Sequence, residues 1–233
     1  MSEDFQLRRH RRARRVTLRV KPDASLVVTA PPRVPERVIR DFLAERAEWI
    51  ERARSRLQAA RQGRPGHLNA THPDRIELPA IERSLSIRYE TGDRLRWRAR
   101  GPDSIELTGA DDPGDARALL VAVLKAMAQG ALEPRAREFA ERHDLRPGRI
   151  TWRNPNTRWG SCSANGNLSL SVRLLLLDAP VADYVLLHEL AHLEHPNHSR
   201  AFWARVESMC PDYRLREREL KAASRAIPVW VTG

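Results

Sequence analysis

Apolar and polar positions alternate at the start of the chain. Val16-Thr17-Leu18-Arg19-Val20 and Ser25-Leu26-Val27-Val28-Thr29-Ala30 each repeat with period two. Pro22-Asp23-Ala24 lies between them, so the pattern predicts a β-hairpin. The tract at 8–15, RRHRRARR, runs into the first strand and reads as a basic strand edge rather than a free tail. Pro31-Pro32 closes the hairpin. From Pro35 to about Gln62 the period lengthens. Val38, Phe42, Trp49 and Ile50 mark one apolar side, with Leu43, Ala47 and Leu57 alongside and a densely charged solvated face opposite, which predicts one long helix. Gly63-Arg64-Pro65-Gly66 breaks it. Four alternating segments follow, at Arg75–Pro79, Leu85–Tyr89, Leu95–Ala99 and Ser104–Leu107. They predict an antiparallel sheet with one buried face.

Asp111-Asp112-Pro113-Gly114-Asp115 reads as a linker. It sets a boundary between residues 1–112, a β-rich region carrying helix 35–62, and residues 113–233. Residues 115–143 carry an apolar helical stripe through Leu119, Leu120, Val123, Leu124, Met127, Leu132 and Phe139, with Pro134 placed to kink or split it. Ile150-Thr151-Trp152 is a short strand. A polar loop runs from Asn154 to Ser163, Asn165-Gly166 is a hairpin turn, and Leu168–Leu174 is the return strand. A helix follows Pro180, with Asp183 as its cap or first-turn acid, and ends before Pro196. Residues 199 to about 226 are helical with a break at Pro211 and with Leu215, Leu220 and Ala223 as packing positions. The apolar tail Ile227–Val231 packs on the domain. The fold class expected is α+β: the β-rich region with its long helix, then a compact α+β domain.

Composition narrows the function classes. At 233 residues and 41% hydrophobic, the chain can bury a substantial core. No run of about 18 apolar residues exists, so no membrane span is expected. No apolar segment follows the basic start, so no signal peptide is expected. Two cysteines, Cys162 and Cys210, exclude a disulfide scaffold and point to a reducing cytoplasm. The net charge is +11, carried almost wholly by arginine, since Lys21, Lys125 and Lys221 are the only lysines. Such a field favours polyanions, nucleic acid among them; an arginine-rich composition would produce it equally.

The chemistry concentrates in Ala182–Trp203. His188-Glu189-Leu190-Ala191-His192 places two imidazoles one turn apart on a helix face with a carboxylate beside them. That is the layout of a metal hydrolase: two zinc ligands and a base for an activated water. A catalytic zinc takes three protein ligands and keeps one open position. His195 and His198 are the candidates for the third. His195 continues the same helix, whereas His198 follows the turn at Pro196 and can swing back over the metal, so His198 is preferred. Cys162 reads as a small core or turn residue. Arg158, Asn156 and Tyr184 are candidate contacts for the tetrahedral oxyanion or the substrate.

The segment Asn156-Thr157-Arg158-Trp159-Gly160-Ser161-Cys162-Ser163, then Asn167–Leu170, Arg173-Leu174, Tyr184-Val185, the His188–His192 motif, Asn197-His198-Ser199 and Phe202-Trp203 resembles the YgjP-like metallopeptidases, a family related to the SprT-like and WLM-type zinc proteases. The resemblance is strongest over about residues 135 to 220. It implies a zincin-type domain with the metal helix beside a small sheet. It also implies one zinc per chain on His188, His192 and His198, with Glu189 catalytic and a polypeptide as substrate. A metzincin is a rival, but His195 and Pro196 stand where that group has its turn glycine. The other alternative is a basic nucleic-acid-binding protein whose metal site is structural or vestigial, or a protease recruited to DNA-associated proteins.

Overall fold

The computed structural model describes residues 5–11, 13–20, 26–62 and 70–232, except for the side chains of residues 56–62. The turn expected at Pro22–Ala24, the break at Gly63–Gly66 and the packing of Leu57 lie outside the described residues. The chain divides into two compact units, Met1–Asn69 and Ala70–Thr232. Each combines a sheet with helices, so the class is α+β.

In the first unit, β2 (Thr17–Val20) and β3 (Leu26–Ala30) pair antiparallel with Leu18 opposite Val28, as the hairpin pattern predicts. A further strand, β1 (Phe5–Arg9), lies parallel to β3 on its other side, giving the order β1-β3-β2. The sheet is therefore mixed, and Arg8 and Arg9 belong to β1 rather than to the hairpin. Helix 35–62 is two helices, α1 (Glu36–Ala44) and α2 (Ala47–Gln62). No glycine or proline marks the break. The Arg46 guanidinium covers the Phe42 ring and donates to the Phe42 carbonyl, the acceptor that the Arg46 amide would use in a continuous helix. The amide turns to the Leu43 carbonyl instead, at 3.0 Å. The buried face also differs from the expected one. Ile39, Leu43 and Ile50 meet Leu26, Val28 and Ala30, while Val38 and Trp49 are 48% and 44% exposed.

In the second unit, β4 (Arg75–Leu78), β5 (Arg83–Glu90), β6 (Arg96–Gly101) and β7 (Ser104–Thr108) form a sheet ordered β4-β5-β7-β6. β5 and β7 are parallel, so this sheet is mixed rather than antiparallel. The β6–β7 hairpin folds back with β7 innermost, and β6 becomes the edge. Ile76, Leu78, Leu85, Ile87, Ile105 and Leu107 face the core.

That core includes α3 (Pro113–Arg142), through Leu119, Leu120, Val123 and Leu124. A boundary at 112/113 would cut one continuous hydrophobic cluster. The acidic stretch read there as a linker is a helix cap: Asp112 accepts from the amides of Gly114 and Asp115, with Pro113 in the first turn. Pro134 does not end α3. Leu132, Ala136, Phe139 and Ala140 bury on both sides of it, and that burial outweighs the one backbone bond a proline removes.

A second sheet, ordered β8-β10-β9, uses β8 (Ile150–Arg153), β9 (Gly160–Cys162) and β10 (Leu168–Ser171). The return strand stops at Ser171, and Val172–Leu176 coil into a 3-10 turn. Four helices complete the unit: α4 (Ala179–Ala191), α5 (Arg200–Met209), α6 (Tyr213–Ala223) and the single turn α7 (Val229–Thr232). The tail packs as expected, with Ile227, Trp230 and Val231 in the core. Leu220 and Ala223 pack against it, whereas Leu215 is 41% exposed. Among the described residues no helix is long and apolar enough to cross a membrane.

Candidate active site

Helix α4 is buried on almost every side, through Val181, Tyr184, Val185, Leu186, Leu187 and Leu190. Asp178, not Asp183, stands at its N-cap. Asp183 instead pairs with Arg135 of α3 at 2.6 Å, tying the two helices together. A polar side chain on such a helix is costly unless it has a partner or a task, and His188 and Glu189 face the cavity from its last turn. Their surroundings come from two other elements: the β9–β10 hairpin and the turn into α5.

The helix ends at Ala191, with His192 as its C-cap. The turn is tight: the amides of Glu194 and His195 both reach the Ala191 carbonyl. Pro196 follows, and Ser199 caps α5 by accepting from the Phe202 amide at 3.3 Å. This reversal carries His198 back over α4. Its Nε2 lies 3.1 Å from His188 Nε2. His188, His192 and His198 each offer a ligand atom, all within 4.8 Å of one another. The His195 ring is outside that group, but its carbonyl pairs with His192 Nδ1 at 3.0 Å. That bond fixes Nδ1 as the donor and leaves the Nε2 lone pair free for a cation.

The three imidazoles fit a metal. Two nitrogens bound to a tetrahedral zinc at about 2.0–2.1 Å stand roughly 3.3 Å apart, close to the separation between His188 and His198. Burial, followed by His192 and His198, pushes the His188 pKa down to about 3, and burial also lowers His192. Both shifts favour the neutral imidazole, the form that ligates. Phe202 is the floor of the site. Its ring centroid lies 4.5 Å from that of His192, stacked, 4.7 Å from His198 and 4.9 Å from His188.

Glu189 sits beside this group, 7% exposed. Burial raises its pKa to about 7, with Arg158 acting in the opposite direction. Above the histidines opens a cavity of about 410 Å³, with Arg158, Trp159, Gly160, Cys162, Tyr184 and Leu220 among its walls. Three converging imidazoles, a buried carboxylate beside them and an open cavity make a layout for hydrolysis.

A family model for the YgjP-like metallopeptidase domain matches residues 14–223. The chain belongs to the YgjP-like metallopeptidase family. A YgjP-like protein is a peptidase that works with a catalytic metal, and the three-histidine group is the described cluster able to hold one. Among solved structures, the metallopeptidase zymogen of Pyrococcus abyssi abylysin is 26% identical, over 38% of this chain and 93% of that one, with a TM-score of 0.35. No curated protein matches the chain.

The other expected residues of this YgjP-like site divide. Arg158 and Tyr184 line the cavity; Asn156 lies on the exposed loop and is not among its walls. Tyr184 is buried and its hydroxyl pKa is raised by desolvation. Cys162 borders the cavity, but its thiol contacts the Ser163 carbonyl and its pKa is raised by burial and then by Glu189. It is not in the histidine group.

Two residues that carry the family resemblance, Gly160 and Arg173, have roles the sequence reading did not assign. A Cβ on Gly160 would stand 2.6 Å from the Glu189 carboxylate, so only glycine leaves that space. Arg173 is 6% exposed and, among the described residues, has no carboxylate partner. It donates to the carbonyls of Pro155 and Arg158 and to Ser171 Oγ, and lies 4.9 Å from the Trp159 ring centroid. It thereby anchors the loop that presents Arg158, Trp159 and Gly160. The hairpin turn was legible: Gly166, at φ +70°, is the left-handed residue that closes β9 onto β10.

Proposed function

We propose that the protein is a zinc-dependent peptidase of zincin type, with one zinc held by His188, His192 and His198 and with Glu189 as general base and acid. Zinc bound there would supply a water of lowered pKa and a Lewis acid for the scissile carbonyl. Glu189 would take a proton from the attacking water and pass it to the leaving amine, a task favoured by a carboxylate pKa near the working pH. Arg158, facing the cavity, is placed to stabilise the developing oxyanion, and Tyr184 backs His188 with ring centroids 5.8 Å apart.

The substrate is an extended polypeptide. β9 is the edge of its sheet and lines the cavity, so a peptide can add to it as a further strand across the metal group. Cys162 and Cys210 are both unpaired, which suits a reducing cytoplasm. A structural zinc would be closed by a fourth protein ligand; no Cys, Asp or Glu joins the three histidines among the described residues, which favours the catalytic reading.

The observation that carries this reading is the convergence of three imidazole ligand atoms beside the buried Glu189 carboxylate. Metal content and proteolysis test it together. Wild type and His195→Ala are expected to hold about one zinc per chain and to cleave an unfolded protein. His198→Ala should lose the metal, and Glu189→Gln should keep it but lose cleavage. Wild-type protein that is offered zinc and binds none would refute the proposal.

A further inference from the structure

The positive charge is not spread evenly. Residues 1–69 hold 17 of the 41 Lys and Arg but only 8 of the 30 Asp and Glu, a surplus of +9 out of the total +11. Within that unit the two sides differ. Between residues 5 and 35 there are nine basic residues and a single acid, Asp23. The helices hold most of the unit's remaining acids, and these pair locally: Glu36 with Arg40, Glu45 with Arg46, Glu48 with Arg52 and Glu51 with Arg54.

Topology gathers the unpaired arginines at the sheet. The inner face, through Leu7, Leu18 and Val28, meets the helices. The residues between them point the other way: Arg8 shares a row with Thr29 and Thr17, and Arg19 shares one with Val27 and Gln6. From β1 the chain crosses the end of β3 to reach β2, held there by the bond from the His10 amide to the Ala30 carbonyl. That crossover carries Arg11, Arg14 and Arg15. All five side chains are exposed, and none makes an ion pair among the described residues.

We propose that this face, built on Arg8, Arg11, Arg14, Arg15 and Arg19, docks the phosphate backbone of a nucleic acid. Guanidinium groups bind phosphate oxygens in bidentate pairs, and a row of them with no interleaved acid is the electrostatic footprint of such binding. The face lacks what other anionic partners require. Among the described residues, the exposed large apolar side chains are Val38, Trp49, Leu95 and Leu215, none of them on this sheet, so its described part offers neither the apolar wedge of a membrane-seated surface nor the central anchor of a protein interface.

The test is fluorescence anisotropy on the full chain, using a labelled DNA duplex of about 30 base pairs and its single strand. Two variants remove the same charge: R8Q/R14Q/R15Q/R19Q on the proposed face, and R88Q/R94Q/R96Q/R98Q on exposed positions in and beside the other unit's first sheet. Wild type should bind, with affinity falling on the order of 10²–10³-fold between 50 and 200 mM salt for about five phosphate contacts. The first variant should weaken binding at least about 100-fold and flatten the salt slope, while the second changes it by less than about tenfold. Equal losses in the two would mean bulk charge alone and would overturn the proposal. So would wild-type binding to anionic phosphatidylglycerol vesicles, lost with the first variant, in the absence of binding to DNA.

Discussion

Gly160 and Glu189 are packed so closely that a methyl group on Gly160 would stand 2.6 Å from the carboxylate carbon. The contact links the edge strand β9 to the metal helix and determines where the proposed base sits. Gly160→Ala must therefore push Glu189 aside, while the three histidines stay on α4 and on the turn into α5. We expect zinc content to be unchanged and kcat/KM to fall roughly 10²-fold, the effect of displacing a reacting group by about an ångström. Unchanged kcat/KM in a folded, zinc-loaded variant would contradict this role.

The Glu189 carboxylate also makes stability depend on pH. Its folded pKa, about 7, lies above the ordinary glutamate value, so the folded state holds the proton more tightly than the unfolded state does. The metal-free protein therefore loses stability as pH rises from about 4.5 to 7 and carries the full penalty above that. In chelator, Glu189→Gln should match wild type near pH 4 and exceed it at pH 8, by on the order of 1–3 kcal/mol. Thermal melts of the two proteins at both pH values measure it; a glutamine variant less stable at pH 8 would reverse the sign.

Arg173 is a buried cation whose partners are neutral oxygens. Lysine keeps the charge but cannot reach Ser171, Pro155 and Arg158 with one planar fork. Arg173→Lys should cost about 1–3 kcal/mol in denaturant unfolding and lower kcat/KM by loosening the 155–160 loop, with zinc retained. Loss of stability with normal activity would show that the loop does not depend on it.

Phe202 touches all three imidazoles and is fully buried. Phe202→Ala should cost about 3–5 kcal/mol of stability. It should also weaken zinc roughly 10–100-fold in chelator competition, because the rings lose the surface that orients them. Phe202→Leu refills much of the volume and should recover stability further than metal affinity.

Much of the protein was legible along the chain because the controlling interactions are local. Alternation at 16–20 and 25–30 marked β2 and β3, and the apolar stripe after Pro113 marked α3. The spacing of His188 and His192 follows from the pitch of one helix, and Pro196 announced the reversal that returns His198. What tertiary structure decided was which surfaces meet. Strand order was not readable, since β1 and β7 take inner or parallel places that no turn residue encodes. The unit boundary moved from 112 to 69 because the β4–β7 sheet and α3 share one core, and a core is a property of faces that are distant in sequence. Val38 and Trp49 faced solvent because α1 and α2 turn Ile39, Leu43 and Ile50 to the sheet instead. Gly160, Arg173 and Phe202 could not be assigned from their neighbours in the chain. Each acts on groups brought beside it only by folding, where close packing makes a single methyl group or hydrogen bond count.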